Sequence, residues 1–174
     1  MPTIWYRLYR RRSTRPSQSK GAPCENATVS RIAAAVPLSI TATKLPVKNL
    51  DDIERAIAST ADRLSGGLII IPDAFLLSNR GAVIEQANKY RLPAIYPFRF
   101  FASEGGLVSY GIDPDQQFPG VASYIDRILK GEKPGDMPVQ APTKFQLVIN
   151  LKTAKAIGLT VPQPTLLLAD EVIE

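Results

Sequence analysis

The chain has 174 residues, of which 45% are hydrophobic and 21% are charged, enough for one globular domain with a core. It contains no histidine and one cysteine, Cys24, so the usual general base, a cysteine-based metal site and an internal disulfide are excluded. The net charge of +5 arises in residues 1–24, which carry six basic side chains and no acidic one, so the remainder has a net charge of −1.

Residues 1–25 predict a basic, disordered arm, because they combine arginine, serine and proline without a lasting hydrophobic period. Trp5, Tyr6 and Tyr9 lie among arginines, an arrangement that could stack on bases while the charges meet phosphates. The alternatives are a solvated tail or translation from an unintended start. Nucleic-acid binding through the arm therefore stays only an alternative function, since no folded basic surface accompanies it.

The next part of the chain alternates helices and strands, the pattern of a doubly wound, mostly parallel α/β sheet. The predicted helices are 26–35, 52–64, capped by Asn49 or Asp51, and 78–90, capped by Ser78. The predicted strands are 38–42, 68–71, 94–96 and 107–110, the last after a turn at Glu104-Gly105-Gly106. We expect the strands from 68 to 110 to lie side by side with a right-handed crossover.

Polar and aromatic side chains follow the ends of three of these strands. In open α/β sheets ligands bind beyond the carboxyl ends of the strands, so these side chains predict a binding face. The candidate residues are Asp73, Tyr96, Phe98, Arg99, Ser109, Tyr110 and Asp113.

Each candidate also has a structural interpretation. Tyr96 and Phe98 are aromatic side chains of the kind that usually fill a core, and Arg99 could neutralise Glu104. Asp73 could cap the turn that follows Pro72, and Asp113 with Asp115 could form a turn around Pro114.

After Gly111 prolines become frequent and the pattern changes. A helix is predicted over 121–130, with Val121, Ile125, Ile128 and Leu129 facing the core. Residues 133–144 predict an extended connector, 145–149 a strand, and 151–157 a helix capped by Asn150 and ended by Gly158. The last residues, 166–174, predict one or two further helical turns.

No assembled catalytic set is present. The chain lacks Gly-x-Gly-x-x-Gly and Gly-x-Ser-x-Gly, and Ile112 stands where a phosphate loop needs its lysine. We therefore predict a binding protein that is not an enzyme and needs no cofactor or metal. A small α/β enzyme using Asp73, Asp113 or Glu104 stays open as an alternative.

The segments GGLIIIPD, NKYRLPAIYPFRFFASEGGLVSYG, YIDRILKGEKPGDMPVQAPTKFQLVINLKTAKAIGLTVP and ADEVIE resemble one known family. They are similar to the carboxyl half of bacterial ABC transporter substrate-binding proteins of the tryptophan and tyrosine type. The resemblance covers about residues 26–174 and is most specific from Gly66 onward.

This resemblance implies a type I periplasmic-binding fold, in which two α/β lobes hold a small solute and present it to a permease and its ATPase. The seven candidates above would form the second-lobe wall of the cleft. Residues 26–112 and 145–174 would belong to the second lobe. Residues 113–144 would contribute a first-lobe segment and a hinge crossing.

Three departures from the family pattern stand out. The first lobe is largely missing, and no secretory signal or bilayer-crossing segment is found, which leaves the cytoplasm as an alternative to the periplasm. Phe118-Pro119-Gly120 interrupts a family helix, so we expect that helix to begin about one turn late. A truncated form with exposed apolar surface is therefore expected.

Overall fold

The structure is a computed structural model that describes residues 3–9, 40–61 and 66–174. The predicted helix 26–35 and most of the basic arm lie outside the described residues. The chain divides into two compact units, Met1–Ile95 and Tyr96–Glu174, and each is described by itself below.

The first unit contains a mixed sheet with the strand order β2–β1–β3–β4. Its strands are β1 (Thr3–Tyr9), β2 (Ile40–Pro46), β3 (Gly66–Ile70) and β4 (Ala94–Tyr96), the last reaching into the second unit. Its helices are α1 (Leu50–Ala61), α2 (Ala74–Ser78) and α3 (Arg80–Lys89). Strands β3 and β4 pair in parallel, with Leu68 opposite Ala94, so the prediction that these two neighbours lie side by side is confirmed.

Strand β1 corrects the prediction that the whole arm is disordered. Thr3–Tyr9 pairs antiparallel with β2 on one side and with β3 on the other. The segment TIWYRLY is rich in β-branched and aromatic residues, which favour strands. Pairing on both sides provides hydrogen-bond partners for its backbone N–H and C=O groups. The prediction of disorder used only charge and composition and did not include this stabilisation.

Local caps determine where the helices of the first unit begin. The Asn49 side chain accepts a hydrogen bond from the backbone N–H of Asp52 at 2.8 Å, which confirms Asn49 as the cap of α1. The helix itself begins at Leu50, two residues before the predicted start. Ile53 and Ile57 of α1 are fully buried. The predicted helix 78–90 is wrong at its start, because Asn79 separates two helices and Ser78 belongs to the first of them.

The second unit has the strand order β5–β6–β7. Its strands are β5 (Val108–Ile112), β6 (Phe145–Asn150) and β7 (Glu171–Ile173). Its helices are α4 (Arg99–Ser103), α5 (Phe118–Leu129), α6 (Leu151–Ala156) and α7 (Gln163–Leu166), with 3₁₀ turns at Pro114–Gln117 and Pro134–Asp136. Strand β5 pairs antiparallel with β6, and β6 pairs in parallel with β7.

Two predictions about this unit are wrong. The end of the chain forms strand β7 rather than only helical turns, because Asp170 anchors it to Leu147 through both its carboxylate and its backbone N–H. Helix α5 begins at Phe118, not a turn later, because Pro119 falls in the first turn, where a missing N–H costs nothing.

A buried asparagine joins three elements of the second unit. Asn150 is 4% exposed, and its Nδ2 donates to the Ala102 carbonyl at 2.9 Å. Its Oδ1 accepts from the backbone N–H of Thr153 at 3.0 Å, which confirms the predicted cap of α6. Gly158 follows α6 with a φ of +79°, confirming the predicted left-handed stop. The α/β class is confirmed, and the sheet pairings are mixed.

Replacing Gly111 tests how closely β5 approaches the segment after β4. A Cβ at Gly111 would lie 1.9 Å from the Pro97 carbonyl oxygen, so the backbone must shift. We expect Gly111→Ala to lower the free energy of unfolding by about 1–3 kcal/mol, measured by urea denaturation.

Gly81→Ala is the matched control, because a Cβ there meets no atom within 4 Å. Alanine also favours helix α3, so this variant should keep or slightly raise the free energy of unfolding. Equal losses in the two variants would contradict the close approach at Gly111.

Candidate functional site

Asp73, the one site candidate in the first unit, has a capping role. It lies before α2 in an extended conformation, and its Oδ1 accepts from the backbone N–H groups of Phe75 at 2.8 Å and Leu76 at 3.3 Å. Carboxylates favour this position because they satisfy free N–H groups and meet the positive end of a helix. The contacts of Asp73 are therefore explained by its role as a helix cap.

Tyr96 and Ser109 are each 1% exposed, so the expectation that they face a binding surface is corrected. The Tyr96 ring stacks on Phe101 with centroids 5.0 Å apart, and burial raises the pKa of its phenol. Gly106 makes room for this ring, since a Cβ there would lie 2.7 Å from its Cε2. Within the described part of the chain, neither hydroxyl has a hydrogen-bond partner.

Arg99 opens helix α4 and forms a bidentate ion pair with Glu171, the first residue of β7. Its Nε and Nη2 donate to the two carboxylate oxygens at 2.7 and 2.6 Å, and its Nη1 donates to Ser103 Oγ at 3.3 Å. Hydrogen bonding to Glu171, with smaller help from Asp113, raises the pKa of Arg99. The bidentate partner is thus Glu171, rather than the Glu104 suggested by the sequence.

The β5–β6–β7 register separates the predicted site residues onto two faces. Ser109 lies opposite Val148, which lies opposite Glu171, so these three side chains share one face. Tyr110 points to the other face, where its ring stacks on Phe145 with centroids 5.8 Å apart. Both rings are more than half exposed, at 56% and 53%. Ser109 and Tyr110 therefore do not lie on one common face.

Phe98 precedes Arg99 and is half-buried. Its ring stacks on Phe100 with centroids 5.4 Å apart, and the Phe100 ring stacks in turn on Phe101. Phe98 thus forms the outer end of an aromatic series whose inner end is the buried Tyr96.

Asp113 lies where β5 ends, at a cavity of about 660 Å³ within the second unit. Its Oδ1 accepts from the backbone N–H of Asp115 at 3.0 Å, so the predicted turn around Pro114 is confirmed. The cavity lies between α5 and the connector 134–144. Its volume falls within the range of about 300–1,000 Å³ that is typical of small-molecule sites.

The wall of this cavity is mostly apolar, and the cavity was not predicted from the sequence. Its lining includes Ile112, Val121, Tyr124, Ile125, Ile128, Met137 and Val139. The helix face predicted to point to the core is instead exposed, by 53% at Val121 and 81% at Leu129. A strongly apolar helix face beside a proline-rich connector was the available signal. The sequence could not decide between the two positions, because apolar side chains are suited both to a core and to the wall of a cavity.

Residues 21–173 match the family described as ABC transporter substrate binding protein. The chain belongs to this family. The tryptophan- and tyrosine-type resemblance in the sequence is thereby confirmed at the level of the family.

Individual substrate-binding proteins of this kind align with large parts of the chain. The "Tyrosine-binding protein" of Clostridioides difficile (strain R20291) is 25% identical over 114 residues, which is 65% of this chain and 32% of that protein. The solved ABC domain in complex with L-Trp from Streptococcus pneumonia has a TM-score of 0.75 and 25% identity, covering 86% of this chain and 52% of that one.

A conserved domain protein from Vibrio cholerae has a TM-score of 0.63 and 27% identity, covering 71% of this chain and 42% of that chain. The chain therefore spans about a third of the tyrosine-binding relative and about half of each of these two solved chains.

Membership in the substrate-binding family supports the prediction of a binding protein over an enzyme. In the described ranges no group of three or more Cys, Asp or Glu side chains could hold a metal ion. Within the same ranges, no helix has the length and apolar character needed to cross a membrane.

The Arg99–Glu171 pair generates a prediction about strand β7. We expect Glu171→Gln to speed amide hydrogen exchange at Val172 and Ile173, because β7 loses its tie to α4. The variant should lose less than about 1 kcal/mol of unfolding free energy, because the side chains of Arg99 and Glu171 are 52% and 31% exposed and solvent weakens their attraction.

Glu132→Gln is the matched control, since Glu132 forms a similarly exposed bidentate pair with Arg127 at the end of α5. Its effect should be confined to the α5 region. Unchanged exchange in β7 of Glu171→Gln would show that the pair does not hold this strand.

Proposed function

We propose that the chain is the solute-binding component of an ABC import system, and that its solute is a small amino-acid-like or aromatic molecule. The observation that carries this proposal is the largely apolar cavity of about 660 Å³ in the second unit, which has the carboxylate Asp113 at its rim. A mostly apolar wall with a few polar groups is typical of small-molecule sites.

The aromatic character of the solute is supported by the Tyr110–Phe145 pair. Ile112, which lies one pleat beyond Tyr110 on the same face, is a wall residue of the cavity. The exposed rings thus continue the apolar surface of the cavity wall. An aromatic solute side chain would gain both buried area and favourable ring contacts there.

Two named relatives support the same solute class. One is called a tyrosine-binding protein, and the other is a domain solved with L-Trp. Because this chain spans only part of each relative, their solutes enter here as a proposal for this protein.

Among the sequence-predicted site residues, we propose Phe98, Tyr110 and Asp113 as solute contacts. Asp73 and Arg99 are engaged in a helix cap and an ion pair, and Tyr96 and Ser109 are buried. We expect these four residues to stabilise the fold rather than to contact the solute.

Membership in the family supports a wider setting for this function. We propose that the solute is held in an interlobe cleft, with 26–112 and 145–174 in the second lobe and 113–144 forming a first-lobe segment and hinge crossing. We further propose an extracytoplasmic, periplasmic location and delivery of the solute to a permease with its ATPase. Co-purification with that permease would test the transport role.

Ligand-dependent stability tests the solute class. We expect L-tryptophan or L-tyrosine to raise the free energy of unfolding by about 2.7 kcal/mol at a hundredfold excess over Kd, because the ligand binds only the folded state. Thermal denaturation with a panel of amino acids and aromatic acids measures this. No stabilisation by any member would contradict the proposed solute class.

Tyr110→Ala tests the aromatic contact. We expect it to weaken aromatic amino-acid binding by about 0.5–1.5 kcal/mol in calorimetry, since one exposed ring contact is lost. Tyr90→Ala, at the carboxyl end of α3 in the first unit, is the control and should leave affinity unchanged. Equal affinities of the two variants for the solute would show that Tyr110 does not contact it.

A further inference from the structure

Helix α5 and the connector 134–144 form two sides of the cavity, and they approach each other closely at two points. The Tyr124 hydroxyl donates a hydrogen bond to the Pro138 carbonyl oxygen. A Cβ placed on Gly120 would lie 3.8 Å from the side-chain oxygen of Gln140. Residues four apart lie on the same side of a helix, so both points are on one side of α5. The connector therefore runs along this side in the direction opposite to the helix.

The spacing of these two points fits an extended connector. Four residues of an α-helix rise about 6 Å, and two residues of an extended chain span about 6.6 Å. Val139 lies between Pro138 and Gln140 and is 99% exposed, so its side chain does not hold the connector to α5. The attachment of the connector therefore depends on its two neighbours.

Few other interactions hold this part of the connector. Met137 is 9% exposed and forms a buried anchor directly before Pro138. The next residue fixed by regular structure is Phe145, the first residue of β6. Among the described residues, no backbone hydrogen bond involves 139–143. The hydrogen bond from Tyr124 therefore ties α5 to a segment that is otherwise held mainly at its ends.

The Tyr124 side chain is itself held in position. The Arg127 guanidinium lies over its ring, with Cζ 5.6 Å from the ring centroid. Arg127 donates from Nε to Glu132 Oε2 at 2.6 Å, and the backbone N–H of Glu132 donates to the Arg127 carbonyl at 3.0 Å. These contacts restrict the direction of the hydroxyl before any molecule enters the cavity.

We propose that Tyr124 is a positioning residue of this cavity, whose hydroxyl holds the connector at Pro138 and thereby sets the width of the cavity and slows the release of a bound molecule. The inference deepens the proposed function and rests on it, because it concerns release from the same cavity. The ring of Tyr124 is part of the cavity wall, so the residue supplies both apolar surface and a hydrogen-bond donor.

Loss of this hydrogen bond should affect release more than capture. Without it, the connector can move away from α5 between Met137 and Phe145, and the contacts that enclose a bound molecule weaken. Association depends mainly on encounter and orientation, so most of the change appears in the dissociation rate. The free energy of unfolding should change little, because Tyr124 is half-buried, Pro138 is exposed, and water can bond to both groups after they separate.

The test uses Tyr124→Phe in the full chain, since this change removes the hydroxyl and keeps the ring. Tyr90→Phe is the matched control, because Tyr90 is also half-buried but follows α3 in the first unit and does not line the cavity. The probes are the apolar dye anilinonaphthalene sulfonate (ANS), its larger dimer bis-ANS, and L-tryptophan. Ile125→Glu places a charge in the cavity wall and so identifies the dye signal that comes from this cavity.

Stopped-flow fluorescence measures the rate constants of the dyes directly and those of L-tryptophan by displacement. We expect Tyr124→Phe to release ANS and L-tryptophan about two- to tenfold faster than the wild type, as for the loss of one net hydrogen bond, with association nearly unchanged. The affinity for bis-ANS relative to ANS should rise, because a wider cavity admits the larger dye. Tyr90→Phe should match the wild type. A purely structural role would instead lower the free energy of unfolding and leave both rate constants of the folded protein unchanged.

The outcomes separate this inference from the proposed function. Wild-type dissociation of the dyes and of L-tryptophan from Tyr124→Phe would show that the residue does not position the connector, and the proposed function would stand. Faster release of the dyes, without L-tryptophan binding to any folded form, would support the role of Tyr124 and contradict the proposed solute class. If no probe gives a signal that Ile125→Glu abolishes, the cavity is not a binding site and both proposals fail.

Discussion

The antiparallel pairing of β5 with β6 is the constraint on which the second unit depends. Its register places Val108 opposite Ile149 and Ile112 opposite Phe145, and side chains alternate faces with a period of two. A slip of one residue would exchange the buried Ser109 with the exposed Tyr110. The register is secured at the far end, where Asn150 joins β6 to α4 and caps α6.

Much of the fold could be predicted from the sequence because local signals agree with the tertiary structure. Strand β4 was predicted with its observed bounds, and Asn150 and Gly158 marked the two ends of α6. Strands β1 and β7 were missed, since each depends on a partner distant in sequence. A single-sequence pattern contains no information about such pairing.

The site was predicted less well, for a different physical reason. The rule that polar groups at strand ends form a common edge ignores what each group does locally. Asp73 caps a helix, Arg99 binds Glu171, and Tyr96 packs against Phe101. The cavity beside α5 was not predicted, because the apolar residues of this helix were assigned to the core. Composition and spacing do not distinguish a helix face that packs in a core from one that lines a cavity.

The pairing of Arg99 with Glu171 has a consequence for the charge of the surface beside Ser103. Strand β7 has only three residues, and Glu171 is the bidentate partner of the Arg99 guanidinium. Detachment of β7 from β6 would carry this acid away from α4. The guanidinium would then turn two donor nitrogens to solvent, an arrangement that favours binding of a phosphate or a carboxylate.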